Sequence, residues 1–450
     1  MTAPPQGAKL QALRNPHYLQ SSATLLLFFM SWGVWWSFFQ IWLTNGESGL
    51  GLAGAQVGWI YSVNSVVTLV FMLIYGTMQD RLGTRRTLAI CAAIIQALIG
   101  PFVMWIYRPL LEHAFALGVI IGSVVLSAGF LAAAGLLEAL SERLSRRHNF
   151  EYGQARMWGS FGYAVVALGA GFLFNINPML NFWAGSAFGV AALLVLVAWR
   201  TPTSAGSSPA GAAAGPATND AAPVTDEQST PGLRDMVALL KMRNLWLIII
   251  LVFFTWTFYT VFDQQMFPDF YTSLFESRHR GQEVYGMLNS AQVFLEAAMM
   301  GLVPLLMRRI GVRNTLLLGV AVMFLRIGGC AIFSTPVAIS CVKMFHALEV
   351  PLCILPVFRY FTLHFNPKLS ATLYMVGFQI ASQLGVALLS PVLGHVRDGI
   401  GYQPTFVLIS LIVAAAGVYG FFAVKKDDQD VEGDPFVREG KSHATTTKEA

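Results

Sequence analysis

Charged residues are scarce in this 450-residue chain: Asp, Glu, Lys and Arg make up 12% of it, against about 25% in an average soluble domain. Hydrophobic residues reach 55% and aromatic residues 13%. So few charges cannot cover the surfaces of two or three soluble domains, which are therefore excluded. The composition predicts a protein that crosses the lipid bilayer many times.

Cysteine is also rare, and the chain contains neither a CxxC, an HExxH nor a GxSxG motif. The four cysteines lie in apolar stretches, which predicts inert packing residues rather than a disulfide or a metal site: Cys91, Cys330, Cys341 and Cys353. The eight histidines are scattered. A membrane enzyme would need a nucleophile with a base, or a metal cluster. We therefore expect no enzyme, no metal and no organic cofactor.

The charges that are present lie mostly between apolar runs. The net charge of +5 does not indicate nucleic-acid binding, because Lys and Arg cluster in short loops. The residues before Ser21 are polar, and no small-residue cleavage site follows the first apolar run, so we expect no removable signal peptide.

Apolar runs long enough to span a bilayer, about 20 residues each, recur along the chain. There are twelve, at about 22–43, 57–79, 87–107, 116–138, 157–175, 180–199, 245–271, 284–306, 314–333, 336–360, 371–393 and 403–424. Strands of a membrane barrel would be about ten residues long and alternating. The runs therefore predict an all-α polytopic protein. Lys and Arg concentrate in alternate loops and at both termini, which predicts that both termini are cytoplasmic.

A polar segment at 201–240 divides the runs into two sets of six. Its first part is rich in Ala, Gly, Ser and Pro, and predicts a flexible cytoplasmic linker. The predicted six-helix bundles are then 21–200 and 241–424. Residues 1–20 form a cytoplasmic segment, and 425–450 a disordered cytoplasmic tail.

A weak repeat relates the two halves. GTMQDRLGTRR at 76–86 and PLLMRRIGVRN at 304–314 both place a basic turn before the next run, although such turns recur in any cytoplasmic loop. Parallel repeats around a central site are typical of alternating-access transporters. In the first copy, an acid beside arginines at a helix end can stabilise one conformation and release it in another. The predicted conformational motif consists of Gly76, Asp80, Arg81 and Gly83.

Ionisable residues interrupt the apolar runs at a few positions. Lys343, His346 and Glu349 are spaced by three and so share one side of a helix. Each charged side chain costs about 2.5–3.5 kcal/mol in a bilayer, which indicates a functional site. We expect Asp263 to pair with Lys343 in a structural or gating role. Burial disfavours the charged form of Glu349 and a nearby Arg326 would favour it, so Glu349 is the candidate proton site.

The fourth and fifth runs contribute another candidate pair. A short loop makes them antiparallel neighbours, so Glu138 and Arg156 could face one another. A buried Glu–Arg pair forms a forked clamp for sugar hydroxyls. Tyr163 lies on the same face as Arg156 and could offer its ring to a sugar, or be an ordinary packing aromatic.

Five segments of the sequence resemble the oligosaccharide:proton symporters of the major facilitator superfamily. They are FEYGQARMWGSFGYA at 150–164, FDQQMFPDFYTSLFES at 262–277, YGMLNSAQVFLEA at 285–297, HALEVPLCI at 346–354 and GFQIASQLG at 377–385. The resemblance covers about 15–425 apart from the linker. It implies twelve helices in two bundles and a monomer in the cell inner membrane.

The same resemblance assigns residue roles. Glu138 and Arg156 match the principal sugar-binding pair, and Glu349 matches the proton-carrying acid. Arg326 and His346 match its coupling partners. Asp263 and Lys343 match an interhelical charge pair.

Departures from the family pattern bear on the substrate. Members that transport lactose have a second Asp–Lys pair where this chain has Thr260 and Ser382, so no unpaired charge remains. Their sugar-contacting acid on the eighth run matches Val293 here. Glu296, one turn on, is the nearest acid, and Gln292 is a second candidate for contacting sugar.

With Tyr163 where those members have a Trp, these changes argue against galactosides. We therefore predict a sucrose:proton symporter that imports sugar by alternating access. The alternatives are the same mechanism with raffinose, melibiose, maltose or lactose, or a proton-driven drug exporter.

Overall fold

The computed structural model describes residues 15–82, 86–148, 150–199, 242–365 and 373–426, and within them it contains helices and no strands. We number the helices α1 to α15 in chain order. They are α1 Pro16–Thr44, α2 Gly54–Leu82, α3 Thr87–Ala97, α4 Ile99–His113, α5 Phe115–His148, α6 Tyr152–Ile176, α7 Met179–Ala198, α8 Arg243–Gln265, α9 Phe267–Ser273, α10 Arg278–Ile310, α11 Val312–Ile332, α12 Pro336–Met344, α13 His346–His364, α14 Met375–Ile400 and α15 Tyr402–Ala423.

The number of spans agrees with the prediction. Eleven helices are long and apolar enough to cross a membrane, or twelve when α3 and α4 count as one span bent by 52°. The bend lies at Leu98. Pro101 has no N–H and its ring clashes with the carbonyl four residues earlier, which explains the interruption. The predicted all-α, twelve-span fold is confirmed.

The first helix begins earlier than predicted, at Pro16 rather than after residue 20. Asn15 caps it by accepting a hydrogen bond from the backbone N–H of His17 at 3.0 Å, and proline suits the first helical position. The proposed linker, 201–240, lies outside the described residues. So do residues 1–14 of the predicted N-terminal segment and 427–450 of the predicted tail.

Three internal boundaries also differ from the prediction. The seventh run breaks at Met266, because Pro268 lies in the first turn of the short helix α9 and cannot continue α8. The tenth run breaks at Phe345, between α12 and α13. The fourth run continues as a helix to His148, ten residues beyond its predicted end at about 138. Basic residues in the last turn of α5 stabilise its C-terminal end.

The two halves, α1–α7 and α8–α15, meet along two main helix pairs, α2 with α14 and α6 with α10. Both contacts are tight on the side opposite to the start of α1. A Cβ at Gly394 would lie 2.1 Å from the carbonyl oxygen of Gly54, and one at Gly171 would lie 2.6 Å from that of Gln282. Only glycine permits these backbones to approach so closely, and the halves are closed on this side.

Toward the other side, α2 and α14 separate. Ser62 of α2 still donates a hydrogen bond to the carbonyl of Ala387. Further along the two helices, Ser65 and Ser382 line a cavity between the halves. The chamber therefore lies between the closed layer and the side at which α1 begins, which the distribution of Lys and Arg predicts to be cytoplasmic.

Candidate functional site

Asp263, near the end of α8, is the centre of a cluster of ions in the second half. Its Oδ1 accepts hydrogen bonds from Arg326 Nη1 at 2.8 Å and from Lys343 Nζ at 2.9 Å. His346 Nδ1 lies 3.1 Å from the same oxygen. The structure therefore places the predicted partners Asp263 and Lys343 together, and adds two further groups to the pair.

Arg326 joins this cluster to Glu349. Its Nε lies 2.8 Å from Glu349 Oε1, and both side chains are 0% exposed. Arg326 thus donates to two acids at once, through different nitrogens. Its guanidinium carbon also lies 4.9 Å from the centre of the Phe262 ring, a distance at which a cation is attracted to an aromatic face.

Glu349 has one oxygen that nothing in the described residues satisfies. Its Oε2 is buried and has no hydrogen-bond partner, and neither has Arg326 Nη2. Leaving a buried polar atom unpaired costs about 1–3 kcal/mol, and more when the group is charged. A proton bound to this unpaired oxygen would neutralise the negative charge of Glu349.

His346 links the ion cluster to the chamber. Tyr259 Oη lies 3.2 Å from His346 Nε2, and Glu296 Oε2 lies 4.0 Å from the same nitrogen. Gln292 Nε2 donates to Glu296 Oε2 at 2.9 Å. A continuous chain of polar contacts therefore runs from Glu349 through Arg326, Asp263 and His346 to Glu296.

The chamber has two compartments. The first, which we call the acidic cavity, has a volume of about 230 Å³ and contains the accessible face of the ion cluster. It is lined by Trp36, Ser37, Gln40, Tyr61, Tyr163, Tyr259, Asp263, Gln264, Pro268, Tyr285, Asn289, Gln292, Val293, Glu296 and His346.

The second compartment, which we call the neutral cavity, has a volume of about 360 Å³ and no charged side chain in its lining. It is lined by Phe29, Trp32, Trp36, Tyr61, Asn64, Ser65, Thr68, Leu131, Tyr163, Trp256, Tyr259, Thr260, Gln264, Ser382, Gln383 and Val386. Thr260 and Ser382, which replace the second Asp–Lys pair, thus both face this cavity. The two cavities share Trp36, Tyr61, Tyr163, Tyr259 and Gln264.

Tyr163 stands at the boundary of the two cavities. Its ring lies against α1, where a Cβ at Gly33 would be only 2.6 Å from Tyr163 Cδ2. Its hydroxyl lies 3.4 Å from Ser37 Oγ. Glycine at position 33 therefore lets the ring approach the helix while its other side lines the chamber.

Glu138 and Arg156 face each other, with Arg156 Nε 2.6 Å from Glu138 Oε1. Their side chains are 33% and 31% exposed, and neither residue lines the acidic or the neutral cavity. Arg156 instead lies over the ring of Phe29, 4.3 Å from its centre. Because Phe29 lines the neutral cavity, the Glu138–Arg156 pair adjoins the chamber rather than facing into it.

The predicted conformational motif is only partly described. Gly76 lies inside α2, and a Cβ there would meet nothing within 4 Å, so the packing does not require glycine. Gly83 and the side chains of Asp80 and Arg81 lie outside the described residues.

Several chamber residues were not found from the sequence. Tyr259, Gln264 and Asn64 are uncharged, and such residues recur throughout the apolar runs. A charge in a membrane span is conspicuous because it is costly. A tyrosine or an amide gives no comparable signal until neighbouring helices are in place.

Two bundles of six spans around a central chamber with buried ions define a secondary transporter with the major facilitator fold. Solved structures agree on the fold. The nucleoside transporter NupG has a TM-score of 0.72 at 15% identity, covering 91% of this chain and 99% of its own. A bacterial homologue of the human lysosomal transporter Spinster, inward-facing and occupied, has a TM-score of 0.65 at 13% identity, covering 96% and 100%.

The chain belongs to the LacY proton/sugar symporter family, whose model matches residues 10–433. It is 43% identical to sucrose permease of Escherichia coli over 423 residues, which cover 94% of this chain and 97% of that protein. It is 34% identical to raffinose permease of Escherichia coli, with 88% and 90% covered. It is 31% identical to lactose permease of Klebsiella oxytoca, with 87% and 91% covered.

Proposed function

We propose that this protein imports sucrose together with a proton, by exposing one chamber alternately to the two sides of the cell inner membrane. The central observation is the position of Arg326, which bonds to buried Glu349 and to Asp263. Asp263 also lines the acidic cavity, between the two halves. A cation held by two acids, one of which faces the cavity, provides a direct connection between a proton site and a ligand site.

Glu349 is the proposed proton carrier, and the proton is the only coupling ion that we invoke. In its neutral form Glu349 no longer balances the charge of Arg326. The interaction of Arg326 with Asp263 then strengthens, because a single acid remains to pair with it. Asp263 also contacts Lys343 and His346, so the change reaches the wall of the acidic cavity.

The sugar is proposed to lie between the two halves. Glu296 and Gln292 would bind hydroxyl groups from the second half, and Tyr163 would contact a ring face from the first half. Glu138 and Arg156 adjoin the neutral cavity at Phe29, and we propose that they bind hydroxyls once the halves move together. Reorientation is favourable only with both ligands bound or both absent, so that a proton gradient drives uphill import.

Three observations support sucrose over a galactoside. The 43% identity to sucrose permease extends over 94% of the chain. Thr260 and Ser382 leave the neutral cavity without the second charge pair. Position 163 is Tyr, in place of the tryptophan of lactose-transporting members.

The topology that we propose has both termini in the cytoplasm. We further propose that the protein acts as a monomer, binds no nucleic acid and does not chemically change the sugar. The orientation rests on the positive-inside distribution of Lys and Arg.

A larger neutral oligosaccharide is the second candidate substrate. The neutral cavity adds about 360 Å³ to the acidic one, and raffinose permease is 34% identical over 88% of the chain. A proton-driven drug exporter is less well supported, because hydrogen-bonding side chains predominate in the acidic cavity.

Uptake of labelled sucrose into energised membrane vesicles tests this function. We expect sucrose to accumulate, and a protonophore to abolish the accumulation. Unlabelled sucrose should compete more strongly than raffinose, melibiose, maltose or lactose. Accumulation that survives the protonophore would contradict proton coupling, and stronger competition by another sugar would contradict the sucrose assignment.

A further inference from the structure

Asn64, in the middle of α2, has a buried amide with no hydrogen-bond partner. The residue is 2% exposed, and neither its Nδ2 nor its Oδ1 bonds to any described residue. An amide buried in this way costs roughly 2 kcal/mol or more. Asn64 lines the neutral cavity, but both amide atoms are closed off from it, so a molecule in the cavity would bond to them after the side chain turns toward it.

Hydroxyl groups beside Asn64 are available to the same molecule. Ser65 is 6% exposed and Ser382 is 8% exposed, and both line the neutral cavity from opposite halves of the protein. Neither hydroxyl makes a hydrogen bond to another residue in the described part of the chain. Three side chains that line the neutral cavity can therefore donate and accept hydrogen bonds without first breaking others.

The position of Asn64 is fixed by its neighbours. Ser127 Oγ donates to the carbonyl of Asn64 at 3.3 Å, and lies 3.0 Å from Thr68 Oγ1. Through Ser127, α5 therefore holds the backbone of α2 from Asn64 to Thr68, next to the unpaired amide.

The lining of the neutral cavity has the chemistry of a site for a neutral polyol. It combines uncharged hydrogen-bonding groups with aromatic rings, including Trp32, Trp36 and Tyr163. An aromatic face packs against an apolar surface while polar groups fix its orientation. Its volume of about 360 Å³ falls within the roughly 300–1,000 Å³ of small-molecule sites.

We propose that the neutral cavity binds the second monosaccharide unit of the transported oligosaccharide, and that Asn64 determines specificity by bonding to hydroxyls of that unit. The first unit would occupy the acidic cavity beside Glu296. The shared residues, among them Tyr163 and Gln264, leave the two cavities adjoining, so that one two-ring molecule can enter both. This inference rests on the proposed function and extends it to the second ring.

The test replaces the amide by an apolar side chain of similar size, Asn64→Leu. We expect KM for sucrose uptake to rise about tenfold, which corresponds to about 1.4 kcal/mol, while Vmax changes little. The melting temperature of the sugar-free protein should stay the same or rise, because an unpaired buried amide has been removed. The rise in melting temperature on adding sucrose should shrink.

Val66→Leu is the matched control, since Val66 lies two residues from Asn64 on α2, on a different face of the helix, and is 49% exposed. Its KM should equal that of the unchanged protein. If Asn64→Leu does not reach the membrane, Ser382→Ala tests the same cavity instead. Its KM for sucrose should rise about threefold, and an unchanged KM would contradict the inference.

An unchanged KM and an unchanged sucrose-dependent melting shift in Asn64→Leu would overturn the inference. A lower melting temperature without sugar, with sucrose stabilisation intact, would overturn it too and make Asn64 a structural residue. Failure of the unchanged protein to transport sucrose or to be stabilised by it would instead refute the proposed function.

Discussion

Removing Asp263 should destabilise the protein much more than removing Lys343. Asp263 Oδ1 contacts three nitrogen-bearing groups, whereas Lys343 has Asp263 as its one acid partner in the described residues. The Lys343 side chain is 2% exposed and that of Arg326 is 0% exposed. Asp263→Asn therefore leaves a buried cation without its counter-ion, a change that costs about 3–5 kcal/mol.

Lys343→Met has a milder expected effect. Asp263 keeps Arg326 at 2.8 Å and His346 at 3.1 Å, so the acid remains paired. The loss should be about 1.5 kcal/mol, the lower end for a hydrogen bond to a charged group. In the double variant no orphan cation remains, and about 2 kcal/mol of the loss from Asp263→Asn should be recovered.

Thermal unfolding of the detergent-purified variants at one heating rate compares the stability losses of Asp263→Asn, Lys343→Met and the double variant. Arg108→Met is the control, because the pair of Arg108 and Glu112 is 47% and 39% exposed and should be worth less than about 1 kcal/mol. Equal losses for Asp263→Asn and Lys343→Met, or additive losses in the double variant, would refute a shared acid at the centre of the cluster.

Three further predictions concern the chamber and its closed side. Gly394→Leu should force α14 away from Gly54, since the added Cβ would lie 2.1 Å from the Gly54 oxygen. A cysteine placed in the acidic cavity should then react faster with an impermeant thiol reagent added from the closed side. An unchanged reaction rate would contradict the closure of the two halves on that side. Asp398 accepts a hydrogen bond from the backbone N–H of Gly54 at 2.7 Å and so caps α2 from the other half. Asp398→Asn should weaken closure by about 1 kcal/mol and increase the labelling rate of the same cysteine to a smaller extent. An unchanged labelling rate would contradict a role for this cap in closure. Thr260→Asp should place an unpaired charge in the neutral cavity and reduce uptake at least tenfold, which corresponds to about 1.4 kcal/mol or more. Adding Ser382→Lys should partly restore uptake, because the new Asp then has a partner. Uptake that is equally low in the double variant would contradict the pairing of these two positions.

Much of the fold could be predicted because membrane spans obey strong constraints. A run of about 20 apolar residues is required to cross the bilayer, so the number of spans followed from run length. Exact ends did not follow. Proline explains the breaks near Leu98 and Met266, whereas α5 extends to His148 because its polar last turns are good helix formers with favourable charges at the C-terminal end.

The ion cluster was predictable in membership but not in geometry. Asp263, Lys343, His346 and Glu349 were conspicuous because charge in a membrane span is costly. That three groups converge on one oxygen of Asp263 depends on the rotation of α8, α11, α12 and α13 relative to each other. No pattern within a single run specifies such rotations.

The expected position of the Glu138–Arg156 pair was partly right. Spacing predicted that the two side chains face each other, and they lie 2.6 Å apart. Spacing did not predict that Arg156 lies over the ring of Phe29, which lines the neutral cavity. Asn64 was missed altogether, because an amide in an apolar run becomes informative only when its unpaired atoms are seen at a cavity wall.

Glu349→Gln, in membrane vesicles, tests most directly the claim that Glu349 and Arg326 couple the proton to the sugar. Glutamine has the shape of a protonated glutamate and cannot release a proton. We predict that the variant exchanges internal for external sucrose at near the normal rate but does not accumulate it against a gradient. Glu142→Gln, which removes an acid 34% exposed on α5, should retain both activities. Proton-driven accumulation by Glu349→Gln would contradict the account.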